Sequence, residues 1–319
     1  MMNIVLTCFW LVVGLALLVK GSDVFVEASS GIARNFKVPN LIIGLTIMAF
    51  GTSAPEAFIG VRAALDGTSA LAMGNVIGSD IFNLIFIIGF AAAVTPMKIN
   101  FKAIARDYWV AISGPILLLI MMLFFDDVIP RIGGAFFLLL FSGYVWIIIR
   151  KTLKNRKEDP HVEEEFTEEI KPLKRNILFA LLGLGFIILG GELAVHHAVG
   201  IAGLLGMSTR VVGLTIVATG TSLPELIIVF MASKRGESEL AIGNIIGSSI
   251  FNIMFVLGLS GVIAPLPIES GLILDLIFLL SGSFIFLLFV HTKKRITRIE
   301  GLVMVLMYLA YLSYVIWWS

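Results

Sequence analysis

A six-residue segment occurs twice in this chain, both times in apolar surroundings. Gly51-Thr52-Ser53-Ala54-Pro55-Glu56 returns as Gly220-Thr221-Ser222-Leu223-Pro224-Glu225, 169 positions later. A carboxylate inside a long apolar run is costly and marks a functional site by default. The proline before it lacks a backbone donor and clashes with the carbonyl four residues earlier, so it opens a helix there. Any fold for this chain must set two carboxylates beside two broken helices, in matched environments.

Those environments are membrane-like. Of 319 residues, 58% are hydrophobic and 14% charged, with mean hydropathy +1.01. Soluble domains run about 45–50% apolar and about 25% charged. Apolar runs of roughly 20 residues place ten spans, at 4–20, 40–62, 71–95, 103–125, 131–150, 176–198, 210–232, 240–264, 270–290 and 299–317. The first reads as a retained helix rather than a cleaved signal, because Met1-Met2-Asn3 carries no basic side chain. Twenty of the 23 Lys and Arg fall in one set of alternate loops, leaving Arg62, Arg131 and Arg210 in the other. The positive-inside rule then predicts a multi-pass cell-membrane protein with both termini extracellular.

At an offset of 169, residues 42–56 match 211–225 at 10 of 15 positions, and 74–83 match 243–252 at 8 of 10. Five spans per half is an odd number, so the second half enters the membrane with opposite polarity, as transporters with inverted repeats do. The predicted architecture is an all-α polytopic membrane protein. Its ten transmembrane helices form two inverted five-helix repeats, with helices 2 and 7 discontinuous. Residues 1–150 make the first repeat, 151–175 a cytoplasmic linker and 176–319 the second repeat. The linker, basic at its flanks and acidic at Glu163-Glu164-Glu165, reads as a solvated connector too short for a folded regulatory domain.

The motifs converge on oxygen chemistry. Glu56 lies four residues after Thr52 and three after Ser53, hence on one helical face, and the break frees backbone carbonyls from Ala49 to Thr52. The second copy repeats this through Ala218, Thr221, Ser222 and Glu225. Ser79 and Asn83, and likewise Ser248 and Asn252, stand at i and i+4 on spans 3 and 8. Gly74, Gly78, Gly243 and Gly247 permit close helix approach beside them. Neither Cys nor His stands in the motifs, which disfavours zinc and copper. Oxygen ligands favour Ca²⁺, Na⁺, Mg²⁺ or K⁺, and two carboxylates neutralise one Ca²⁺. The same oxygens can be shared among several Na⁺, and competition for common ligands is the physical basis of exchange. Cys8, the single cysteine, excludes an intramolecular disulfide and a Cys-based metal site, and is expected to pack at lipid level in span 1. No Walker motif is present, which disfavours ATP hydrolysis, and the repeat provides neither the paired Asp nor the Ser–His arrangement of an intramembrane hydrolase, so the chain does not read as an enzyme. No cofactor, nucleic acid or obligatory protein partner is implied.

At these residues the sequence resembles the cation/calcium antiporter superfamily, closest to prokaryotic sodium/calcium exchangers. The resemblance covers essentially the whole chain and rests on the paired Gly-Thr-Ser-x-Pro-Glu and Gly-Asn-x-x-Gly-Ser-x-x-x-Asn motifs. It implies a four-site diamond, one central site for Ca²⁺ and others for Na⁺. The implied ligands are Ala49, Thr52, Ser53, Glu56, Ser79 and Asn83 from the first repeat, and Ala218, Thr221, Ser222, Glu225, Ser248 and Asn252 from the second. Glu56 and Glu225 would be the core Ca²⁺ ligands. It further implies alternating access, with spans 1 and 6 sliding across the other eight. Some relatives, including the potassium-dependent branch, carry Asp where this chain has Asn252, which argues against K⁺ co-transport here. A Ca²⁺/H⁺ or other cation/H⁺ antiporter on the same scaffold is the alternative, and a cation channel a more distant one.

Several polar residues stand apart from the motifs. Asp80, paired with Ser249, has no assigned role and is not counted among the ligands. Asp23 and Glu192 read as interfacial caps, Asp126 and Asp127 as a solvated turn, and the adjacent His196 and His197 as helix-end residues on different faces. Protons and cations compete for the same glutamate oxygens. Cation uptake is therefore predicted to fall as pH drops from about 8 to about 5.5 through protonation of the pair, and uptake that stays flat across that range would contradict it.

Overall fold

The computed structural model describes residues 4–35, 49–125, 128–158, 172–206, 208–234, 236, 238–269 and 271–318. These are helical almost throughout, as lipid demands: with no water to receive them, backbone donors and acceptors must bond within the segment. The first half runs α1 (Ile4–Asn35), α2 (Ala49–Thr52), α3 (Ala54–Leu65), α4 (Ser69–Val94), α5 (Phe101–Phe124) and α6 (Arg131–Glu158). The second runs α7 (Leu173–Leu205), α8 (Arg210–Thr221), α9 (Leu223–Lys234), α10 (Ser238–Ile263), α11 (Leu272–Lys293) and α12 (Arg298–Trp318).

Eight of the described helices are long and apolar enough to cross a membrane, and α8 with α9 makes a ninth candidate bent by 45° at its break. Apart from the first, their apolar stretches end within about three residues of the predicted spans. The counterpart of the bent pair, predicted at 40–62, has its first part on residues 36–48, outside the described residues. Residues 159–171 of the predicted linker and the Asp126–Asp127 turn also lie outside them.

Four two-residue strands sit in the connections: β1 (Met97–Lys98), β2 (Val128–Ile129), β3 (Leu266–Pro267) and β4 (Arg295–Ile296). β1 pairs antiparallel with β4, and β2 with β3. Each ribbon ties a connection of one half to a connection of the other. They also fix membrane parity. Two bonded strands share a side, so an even number of crossings must separate β2 from β3. α6, α7 and α10 are each long and apolar enough to cross once, and a crossing by the bent pair α8–α9 would satisfy that parity. One helix, α5, separates β1 from β2, so the two ribbons lie on opposite faces.

α4 and α10 form the centre, with 83% and 78% of their apolar stretches buried. The outermost helix of each half packs over the central helix of the other. Phe82 and Phe86 stack at 4.8 Å on α4 beneath Tyr308 of α12, while Phe251 and Phe255 stack at 4.7 Å on α10 beneath Phe141 of α6. α1 and α7 run antiparallel to each other at the remaining side. Their glycines meet in the crossed order that a two-fold axis requires, Gly14 with Gly190 and Gly21 with Gly183. A Cβ on Gly21 would stand 2.8 Å from the Gly183 carbonyl oxygen, and one on Gly183 would stand 2.8 Å from that of Gly21. The approach is thus set by backbone contact. Cys8 lies on the exposed face of α1 rather than packed, which corrects that expectation while keeping the residue at lipid level.

Overpacking of a close contact typically costs about 1–3 kcal/mol. Gly21→Val and Gly183→Val should each lower the thermal unfolding midpoint of the detergent-purified protein, whereas Gly143→Val, where a Cβ meets nothing within 4 Å, should not. Equal midpoints for all three would refute this account of the α1–α7 contact.

Candidate functional site

Both broken helices fail at the same residue of the motif. Ser53 separates α2 from α3 with φ −87° and ψ 9°, and Ser222 separates α8 from α9 with φ −86° and ψ 9°. This is the sparsely allowed bridge region where many active-site residues sit. Pro55 and Pro224 follow at the starts of α3 and α9, where a missing N–H costs nothing. Glu56 and Glu225 then fall in the first turn, at the positive end of the helix dipole. Local sequence thus positions each carboxylate without help from a basic side chain.

The repeats cross at this point. The Ser222 hydroxyl donates to Glu56 Oε1 at 3.1 Å, and the Ser53 hydroxyl donates to Glu225 Oε1 at 3.2 Å. Each glutamate also accepts from a serine of its own half, Ser79 to Glu56 and Ser248 to Glu225, both at 3.3 Å. Thr52 meets Ser248, and Thr221 meets Ser79, at 3.5 Å between hydroxyls. All eight side chains are fully buried. Both Oε2 atoms make no hydrogen bond, and among the described residues no basic group pairs with either glutamate.

Asn83 and Asn252 are buried with them, at the start of two π-helical turns, Phe82–Ile87 and Phe251–Leu257. Such turns recur at functional sites. Asn83 has neither amide end bonded; Asn252 donates to Asp80 and leaves its Oδ1 free. Ala49 and Ala218 are buried too, and, against the expectation that the break frees these carbonyls, both are engaged within the protein because the chain stays helical up to the serine. Each accepts the N–H of the serine at the break, at 3.0 and 3.1 Å, and the threonine hydroxyl at 3.3 Å. All twelve residues singled out in the sequence are buried; ten are joined in hydrogen-bond networks that cross between the repeats, and Asn83 and Asn252 stand one turn beyond Ser79 and Ser248 on the same helices.

Two residues belong with this set that sequence reasoning passed over. Asn75 and Asn244, one turn before Ser79 and Ser248, are fully buried, and Asn75 Oδ1 accepts from Thr221 at 3.3 Å. The signal was available: Asn75, Ser79 and Asn83 form one i, i+4, i+8 stripe, as do their counterparts. The remaining polar residues lie elsewhere. Glu192 pairs with Arg62 at 3.2 Å and Asp23 with Lys20 at 3.9 Å, both partly exposed, where such pairs contribute little. The rings of His196 and His197 meet nearly edge-on at 4.9 Å. A buried ion pair, Arg210–Asp275 at 2.7 Å with Tyr311 donating to the same carboxylate, joins α8 to α11 and α12 away from the cage.

Comparison with known proteins meets this geometry from a second direction. Residues 6–150 and 175–317 match the model of the sodium/calcium exchanger protein family. A putative antiporter, CaxA, from Alkalimonas amylolytica is 36% identical over 311 residues, covering 95% of this chain and 96% of its own. The sodium/calcium exchanger MaX1 from Methanosarcina acetivorans is 32% identical over 343 residues, covering 95% and 96%. A solved structure of the sodium-calcium exchanger NCX_Mj, soaked with Na⁺ and Sr²⁺, superposes with a TM-score of 0.70 at 32% identity, covering 98% of this chain and 99% of its own. With its interlocked inverted repeats and buried two-glutamate cage, the chain belongs to the sodium/calcium exchanger family of cation antiporters.

Proposed function

We propose that the chain exchanges Na⁺ for Ca²⁺ across the cell membrane by alternating access, with both termini outside and without K⁺. The observation that carries this reading is the pair of buried glutamates, each holding one oxygen within a hydroxyl cradle and leaving the other unbonded. Two carboxylates without a basic partner in a low-dielectric interior need a compensating positive charge. One divalent cation supplies it at a stroke, and hydroxyls, amide oxygens and carbonyls around it suit a hard ion.

The proposed Ca²⁺ ligands are Glu56 and Glu225. Na⁺ would draw on the same carboxylates and on Thr52, Ser53, Ser79, Asn83 and Ala49, with Thr221, Ser222, Ser248, Asn252 and Ala218 opposite, and the amide oxygens of Asn83 and Asn252 would serve either ion. Sharing makes the ions mutually exclusive, which converts a Na⁺ gradient into Ca²⁺ movement. Asparagine at both 83 and 252 leaves the amide positions uncharged, which supports a K⁺-independent cycle. The concentration of Lys and Arg in one set of loops, including Lys98 and Arg295 paired across β1 and β4, supports the orientation.

The test is ⁴⁵Ca²⁺ uptake into proteoliposomes under imposed Na⁺, K⁺ or H⁺ gradients. Uptake is expected to follow an outward Na⁺ gradient, to ignore K⁺, and to vanish in Glu56→Ala and Glu225→Ala. Ca²⁺ flux indifferent to Na⁺ but driven by H⁺ would replace the proposal with cation/H⁺ exchange. The matched hydrogen bonds make a further demand. Ser53→Ala and Ser222→Ala each remove one hydroxyl bond to a carboxylate, an effect of about 1.5–3 kcal/mol, so both should weaken apparent Ca²⁺ affinity by about tenfold or more and by similar factors. A large effect at one serine and none at the other would contradict the reciprocal cage.

A further inference from the structure

One buried carboxyl group takes no part in the cage described so far. Asp80 follows Ser79 on α4, is fully buried, and aligns with Ser249 in the second repeat. It is the one buried charged residue in the central helices that the duplication did not copy. Its Oδ1 accepts a 3.1 Å hydrogen bond from Asn252 Nδ2, across the interface between the repeats.

That bond decides which end of an amide the site sees. Asparagine has a donor end and an acceptor end, and a cation binds only the acceptor. With its NH₂ group engaged by Asp80, Asn252 keeps Oδ1 buried and free of any hydrogen bond. Its two-fold partner Asn83 has Ser249, not a carboxyl group, at the equivalent position, and neither end of its amide is bonded. Of the two Asp80 oxygens, Oδ1 is engaged by the Asn252 amide and Oδ2 makes no hydrogen bond.

We propose that Asp80 is a positioning residue that holds the Asn252 amide with its oxygen toward the transported cation, which makes the two-fold-related asparagines unequal. Asn252 is a fixed oxygen ligand; Asn83 is an adaptable group that presents either end. The identity of the cation rests on the exchange function proposed above. A ligand oriented before binding costs less to engage, and removing the outer partner of a metal ligand typically lowers affinity by about 10–100-fold.

Equilibrium binding of ⁴⁵Ca²⁺ to the purified full chain tests this separately from flux. Asp80→Ser, which copies the second repeat's residue into the first, should weaken Ca²⁺ binding by about tenfold. The exchanged variant D80S/S249D moves the carboxyl group to the other side of the axis and should restore near-native affinity by orienting Asn83 instead. The sharper readout is the order of sensitivity. In the native background Asn252→Ala should weaken binding more than Asn83→Ala, and in the exchanged background the order should reverse. A general contribution of negative charge or of stability would not reverse it. Unchanged affinity in Asp80→Ser, or Asn252 remaining the more sensitive in the exchanged background, would overturn the assignment. Should Asp80→Ser fail to fold, the exchanged background carries the test alone. Absence of Ca²⁺ binding by the native chain would sink the proposed function and this inference together, whereas native binding without Na⁺-driven flux would sink only the function.

Discussion

Two serine hydroxyls reach across the molecule to the glutamate of the opposite repeat, and much of the remaining structure exists so that they can. Ser222 meets Glu56 only if both helices break, if the halves are antiparallel, and if α4 and α10 meet at the centre. Magnitudes show what this leaves undone. A hydrogen bond to a charged group contributes about 1.5–3 kcal/mol, and each glutamate accepts one serine from each half. Idealised burial of a single carboxylate costs on the order of 20 kcal/mol, and several kcal/mol after relaxation. Hydroxyls alone offset part of that, and the mutual repulsion of two such groups adds to it. The cage therefore gains stability from any positive charge that enters it.

The rest of the scaffold answers a different need, that of holding two equal halves in one register. Each fifth helix lies over the other half's central helix, under matched aromatic stacks, and each ribbon joins loops of different halves. Glycines at the crossings let backbones touch. A Cβ on Gly89 would stand 2.8 Å from the Gly301 carbonyl oxygen, and one on Gly258 would stand 3.2 Å from that of Gly134. The halves are interleaved rather than apposed, so neither presents a self-contained core.

Much of this was legible in the sequence, and for a specific reason. The duplication is nearly gapless, so a single offset of 169 carried every motif from one half to the other, and i, i+4 spacing put hydroxyls and carboxylates on common faces. Ser53 with Glu56, Ser79 with Asn83, and their counterparts could be grouped on those grounds, while joining the two groups into one ligand set rested on the family resemblance. What stayed hidden depends on contacts between segments far apart in sequence. Two-residue strands such as Met97–Lys98 carry no periodicity. The Arg210–Asp275–Tyr311 cluster unites helices whose approach no local pattern announces. Asp80 was visible as a departure from the repeat, but its partner Asn252 became apparent only once α4 and α10 were seen to meet. Asn75 and Asn244 were missed for a plainer reason: they sat on the recognised stripe one turn upstream.

The crossed serines also set a clock on biosynthesis. Glu56 and Ser222 are separated by 166 residues, and a ribosome adds about 5–20 residues per second. For roughly 10–30 s the nascent chain holds a finished first glutamate motif whose second hydroxyl has yet to be made. During that interval Ser79 is the one serine of this pair already within its own repeat. Insertion of the first five helices is thus a provisional state with a polar debt at its centre, settled only when the last broken helix enters the membrane.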